Sequence, residues 1–172
     1  MKTKSITTVL FITFLLGLSV FQSCNKSDLP PIDGDGQTYS TIEINGKTWF
    51  AENLNYKTPN SWCYNDSAAN GDVYGRLYTW NDAINACPKG WHLPSNEEFK
   101  GVDGEDLHTK MAGMRYVNGS FGGLDGFTCW WQSNEHNSWD QSMYTWWDYD
   151  GGLNISNYGD KQYGQSIRCI KD

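Results

Sequence analysis

The sequence predicts an α+β domain: an N-terminal β-hairpin, two short helices, then an antiparallel β-sheet with long loops, disulfide-tied. Three observations carry this. Ile42 and Ile44 alternate with Thr41 and Glu43 ahead of Asn45-Gly46, a two-residue hairpin turn. From Thr79 the apolar period lengthens to that of a helix. After about Ala112, strand-like runs alternate with clusters of Gly, Asn, Asp and Ser.

Residues 1–23 stand apart from this fold as a lipoprotein signal peptide. Lys2 and Lys4 form a basic start, and Val9 to Val20 is an apolar run of 12 residues. That run is too short to span a bilayer, which needs roughly 20. Phe21-Gln22-Ser23-Cys24 resembles a bacterial lipobox, with Phe21 where Leu is usual. The resemblance implies that Cys24 is lipidated and anchors the chain to a lipid bilayer, at the outer membrane or cell surface, on the extracytoplasmic side. Residues 24–37 then read as the lipidated cysteine and a flexible Pro/Gly tether. Its 13 residues after Cys24 reach on the order of 40 Å when extended. Structure is expected over residues 38–172.

Losing the signal peptide removes Lys2 and Lys4 and no acid, so the formal charge moves from −7 to −9. So acidic a chain is a poor electrostatic partner for nucleic acid. Aromatic residues make up 15% of the sequence while Leu and Val are few, which suits a small domain built on large rings. With Cys24 committed to lipid, Cys63, Cys87, Cys129 and Cys169 form an even set for an oxidising compartment. Four cysteines allow three pairings, and spacing does not choose among them.

The elements follow in order. Ile42 to Phe50 make the hairpin. Trp80, Ala83, Ile84 and Cys87 form one helical stripe, ended by Pro88 and Gly90. Ser95-Asn96-Glu97-Glu98 is a capping box that opens a second short helix at Phe99, weakened by Gly101 and Gly104. Met114 to Val117 lead into Asn118-Gly119, a further hairpin signal. Phe127 to Gln132, Tyr144 to Tyr149, Leu153 to Tyr158 and Gln165 to Ile170 are the remaining strands.

The segments WFAENLNY (49–56), YGRLYTW (74–80), CPKGWHLPSNEEF (87–99) and SIRCIKD (166–172) resemble the Fibrobacter succinogenes major paralogous domain, found on surface lipoproteins of the Bacteroidetes. The resemblance runs from about Gly36 to Asp172. It implies a C-type-lectin-like fold in which a cysteine at the early helix is tied to one in the last strand, here Cys87 and Cys169. It implies no settled activity. Two departures stand out. The family cysteine expected within DSAANGDVYG (66–75) is missing while Cys129 is additional, so a Cys63–Cys129 bridge is expected beside Cys87–Cys169. The stretch from Phe99 to Met114 is also short, so the second helix and its loop are expected to be trimmed.

Trp49, Trp80 and Trp91 read as core rings. The stretch 130–149 reads as a ligand surface, because five of the nine tryptophans lie within it among short amides and acids. Rings stack on sugar faces, and amides and carboxylates read hydroxyls. The expected ligand-binding residues are Trp131, Trp139, Tyr144, Trp146, Trp147, Asn134, Asn137 and Asp148. In each of the pairs Trp130/Trp131 and Trp146/Trp147, one ring faces the core and the other faces outward or a second layer. Asp148 and Asp150 are weak candidates for calcium, lacking the third acid and distal Glu of a complete loop. His92, His108 and His136 are scattered, and no nucleophile, zinc or phosphate-loop motif appears. No catalytic residue is therefore expected. The expected function is a non-catalytic module that binds extracellular glycan or protein. The alternatives are an accessory lipoprotein of an importer or adhesin, and a diversified ligand-display protein.

Overall fold

A computed structural model describes residues 29–136, 140–148, 150 and 152–172. The α+β class holds, with short helices inserted among strands. The first hairpin pairs β1 (Thr41–Ile44) with β2 (Lys47–Phe50), Ile42 opposite Trp49. Asn45 and Gly46 both take left-handed backbone, with φ of 52° and 76°. That is the I′ geometry whose twist matches the flanking strands. A second small hairpin joins β3 (Ser61–Cys63) to β4 (Arg76–Tyr78). Between them lie a 3-10 turn over Tyr64–Asp66 and helix α1 (Ala68–Tyr74).

The two expected helices are present but only four residues each. Helix α2 (Trp80–Ala83) gives way to turns before Cys87. Helix α3 (Asn96–Phe99) follows β5 (Trp91–His92) and carries the full capping box: Glu98 N–H donates to the Ser95 hydroxyl, and Ser95 N–H donates to the Glu98 carboxylate. Sequence alone suggested no α1, whose Asn70 and Gly71 are poor helix formers.

The larger sheet contains β6 (Ala112–Arg115), β7 (Phe121–Leu124), β8 (Phe127–His136), β9 (Gln141–Asp148) and β10 (Gly152–Asp160), in spatial order β10-β9-β8-β6-β7. Its pairs are antiparallel except β6 with β8, which meet in parallel at Gly113 and Thr128. The closing strand β11 (Ile170–Lys171) threads between β2 and β5 to complete the smaller sheet, β1-β2-β11-β5.

Strand β8 is covered on both faces. Trp131 packs into one core with Phe50, Tyr78, Leu93 and Ile167, while Trp130 packs into a second with Trp49, Phe99, Trp147 and Ile170. Strand alternation makes adjacent tryptophans serve different layers. Trp49 and Trp80 are buried and Trp91 is packed against the first core, as their core reading expects.

Two expectations are corrected. The bridge Cys87–Cys169 is present, but Cys63 and Cys129 are free thiols. Cys129 is wholly buried in β8 opposite Trp146, whereas the sulfur of Cys63 lies against α1 and accepts from Arg76 Nη1 at 3.1 Å. The intended tether is also not slack up to residue 37. Pro31 and Asp33 are buried, Tyr39 N–H donates to Pro31 O, and Ile32 bridges Thr38. Asp33 closes this turn by accepting from Asp35 N, Gln37 N and the Tyr39 hydroxyl, at 2.9, 3.0 and 2.5 Å. Cys24 and the signal peptide lie outside the described residues.

Candidate functional site

The expected ligand surface is dispersed by the fold. Trp131 and Trp147 are core rings and not exposed platforms. Trp131 Nε1 donates to Tyr78 O at 2.7 Å, and the Trp147 ring fills the space where a Cβ on Gly104 would stand, 2.2 Å away. Asn134 accepts from Asn96 N at 2.6 Å, which pins the start of α3. Tyr144 and Trp146 are half-buried on the same face of β9, separated by one residue. Trp146 stacks on Phe127 with centroids 4.0 Å apart and donates through Nε1 to Asp148 Oδ2 at 2.8 Å. Asp148 also accepts from Asp150 N, so these two acids share one turn. Among the described residues, no group of three or more His, Cys, Asp or Glu side chains is placed to hold a metal ion. Asn137 and Trp139 lie outside the described residues.

A different place brings polar groups together. The loop after β2, the loop after α1, the 108–110 segment and the closing strand segment enclose a cleft of about 240 Å³. Glu52, Asn53 and Asn55 line it from WFAENLNY, Asp72 and Tyr74 from α1, His108 and Lys110 from the opposite rim, and Arg168 from SIRCIKD. The three from WFAENLNY are held by local chemistry. Asn53 Nδ2 donates to Tyr74 O at 3.0 Å, and its Oδ1 accepts from Trp130 Nε1 at 2.8 Å. Glu52 accepts from Ser40 N at 2.8 Å. Asn55 and Gln37 exchange amide hydrogen bonds, and Asn55 N–H donates to the Tyr39 hydroxyl. Burial, then the Asp33 carboxylate, holds that hydroxyl far above the usual tyrosine range, so it stays protonated. Gly75, with φ of 77°, leaves no room for a side chain, because a Cβ there would stand 2.8 Å from Asn53 Cβ and 2.9 Å from Leu54 O. His108 takes a left-handed φ of 49° at the rim, a backbone state uncommon for a non-glycine residue.

Arg168 is the unusual member. It is 1% exposed, its Nη1 donates to Phe50 O at 3.2 Å, and its Nε has no partner. The guanidinium lies 5.8 Å from the Trp130 ring centroid. Burial lowers its pKa to about 9 and the charge of Glu52 opposes that, leaving it charged at neutral pH. None of the ion pairs among the described residues includes Arg168. A buried charge without a contact ion pair is costly, which makes this cleft wall a ready donor to an anion or oxygen acceptor.

Sequence reasoning missed this cleft because its lining comes from residues 37 to 168, joined only by tertiary packing. One signal was present: an arginine inside the otherwise apolar closing run Ile167-Arg168-Cys169-Ile170. His92 instead has a structural place. Its Nδ1 lies 2.8 Å from Asp172 and its Nε2 3.1 Å from Glu98. A shallower groove holds Trp62, but Arg115 already covers that ring at 4.0 Å, which closes the face to stacking.

No curated protein and no solved structure matches the chain. Residues 42–109 match the model of the Fibrobacter succinogenes major domain, which places WFAENLNY, α1 and His108 of the cleft inside the matched span. That match identifies residues 42–109 as a Fibrobacter succinogenes major domain.

Proposed function

We propose that this chain is a lipid-anchored, non-catalytic binding module of the cell surface, that its fold is C-type-lectin-like, and that it recognises glycan through the cleft at Arg168. The single observation that carries the reading is the lining itself. The amide of Asn55, the carboxylates of Glu52 and Asp72, and the guanidinium of Arg168 line one small concavity. Fixed donors and acceptors of this kind suit hydroxyl-rich ligands. The Cys87–Cys169 bridge, which ties the segment after α2 to the closing strand, supports the lectin-like relationship. The Cys24 lipobox supports the anchor.

The test is a glycan array probed with the detergent-purified chain and with Asn55→Ala. Binding that falls in the variant while its thermal midpoint is retained supports the reading. A chain that captures protein and no glycan overturns it. Cys24→Ala should release the protein from membranes or leave it unprocessed, and unchanged lipid labelling would remove the anchor from the proposal.

A further inference from the structure

We infer that the ligand of the Arg168 cleft is an acidic sugar, whose carboxylate supplies the anion that the buried guanidinium lacks. The inference rests on the glycan reading above and narrows it to a substrate class. Three observations converge. Arg168 is almost fully buried, yet its Nε is unpartnered, and among the described residues no carboxylate lies within ion-pair distance of it, Glu52 acting on it only as a neighbouring charge. Proteins seldom leave a charge so, because desolvation without an opposite charge is among the costliest arrangements a core can hold. Lys110, exposed on the rim of the same cleft, adds a second cation along the path of entry. Glu52 is already engaged with Ser40 N–H and, like Asp72, faces the same cleft as an acceptor for hydroxyls.

The volume bears on size. At about 240 Å³ the cleft is smaller than the roughly 300–1,000 Å³ of drug-sized ligand sites. It suits one sugar unit entering by its acid group, with the rest of an oligosaccharide outside. A peptide carboxylate offers the same charge, but the cleft is lined mainly by amides and charged groups, which suit hydroxyls better than apolar side chains.

The test is calorimetric titration of the full chain in detergent with trigalacturonate, a glucuronate-ended tetrasaccharide and sialyllactose, each beside its methyl ester. At least one acid form should bind, and its ester at least roughly tenfold more weakly, because the ester removes a charge-assisted contact. Lys110→Glu should weaken the acid form and spare the ester. Lys100→Glu, the same charge change outside the cleft, should alter neither. Arg168→Met, if it folds, should abolish the preference for acid over ester, and Lys110→Glu keeps the test open if it does not. Equal binding of acid and ester overturns the acidic-sugar inference and leaves the glycan reading standing. Failure of every acidic probe while a neutral glycan binds does the same. Failure of every sugar, acidic or neutral, overturns both, as does binding of an acidic peptide alone.

Discussion

The sulfur of Cys63 lies 2.5 Å from the position a Cβ on Gly71 would occupy, and its own Cβ lies 3.5 Å from it. The second distance falls within the Cβ–Cβ range of disulfides. The strand β3 and helix α1 thus hold the frame of a bridge with one half missing. Gly71 sits in helical backbone, so a side chain there meets no conformational penalty. In air, with dioxygen as the oxidant, Gly71→Cys should form a disulfide with Cys63, leaving Cys129 as the one free thiol among the described residues. Closing so short a loop should stabilise the fold by about 2–3 kcal/mol in the chain-entropy model. Thiol titration and peptide mapping check it, and persistence of a free Cys63 after oxidation would show that the frame is misread.

The native bridge answers to the same logic on a longer loop. Cys87 and Cys169 are 82 positions apart, which in that model contributes about 4–5 kcal/mol. Cys169→Ser should lower stability by about that amount, and the reduced wild type should follow it. Denaturant unfolding with and without reductant measures both. A variant that unfolds at the wild-type midpoint would mean that the closing strand is held by packing alone.

The paired tryptophans of β9 should respond unequally. Trp147 is 4% exposed and packs in the second core, so Trp147→Ala should cost roughly 3–5 kcal/mol. Trp146 is half-buried, and its loss removes a stacked contact and one hydrogen bond, about 1–2 kcal/mol in all. Thermal melts of the two variants decide it. Equal losses would place both rings in the core.

Acid should loosen the start of α3. Burial works against the Glu98 charge, but Ser95 N–H, Lys47, the Ser95 hydroxyl and His92 outweigh it and bring its pKa down to about 2 from an ordinary 4.5. The folded state therefore binds this proton less readily than the unfolded chain does. The resulting stability is fully present above about pH 4.5 and is lost as pH falls toward 2. Glu98→Gln should flatten that decline and cost about 1 kcal/mol at neutral pH through the weakened cap. An unchanged slope of stability between those pH values would detach Glu98 from the acid response.

What was legible in the sequence was local. Asn45-Gly46 specifies its own hairpin, and Ser95 with Glu98 specifies its own cap, because the interacting groups lie within a few residues of one another. The tryptophan cluster misled for the opposite reason. Alternation correctly sends Trp130 and Trp131 to opposite faces, but only tertiary packing reveals that both faces of β8 are covered. Helix α1 escaped because its propensity is poor and its neighbours hold it. The site escaped because Asn53, His108 and Arg168 meet through the threading of the closing chain beside β2, a relation no window of sequence contains.

The packed turn from Pro31 to Tyr39 changes how far the domain can stand from a bilayer. Only seven links separate Cys24 from Pro31, and fully drawn out they measure at most about 25 Å. Gln37 and Thr38 belong both to that packed turn and to the cleft wall. A lipid on Cys24 would thus moor the domain on a short line fastened beside the Arg168 cleft. The geometry is that of a fitting set close against a hull, whose catch opens near the waterline. Ligands that lie along the membrane face, and short chain ends that drift down to it, are the ones such a fitting can reach.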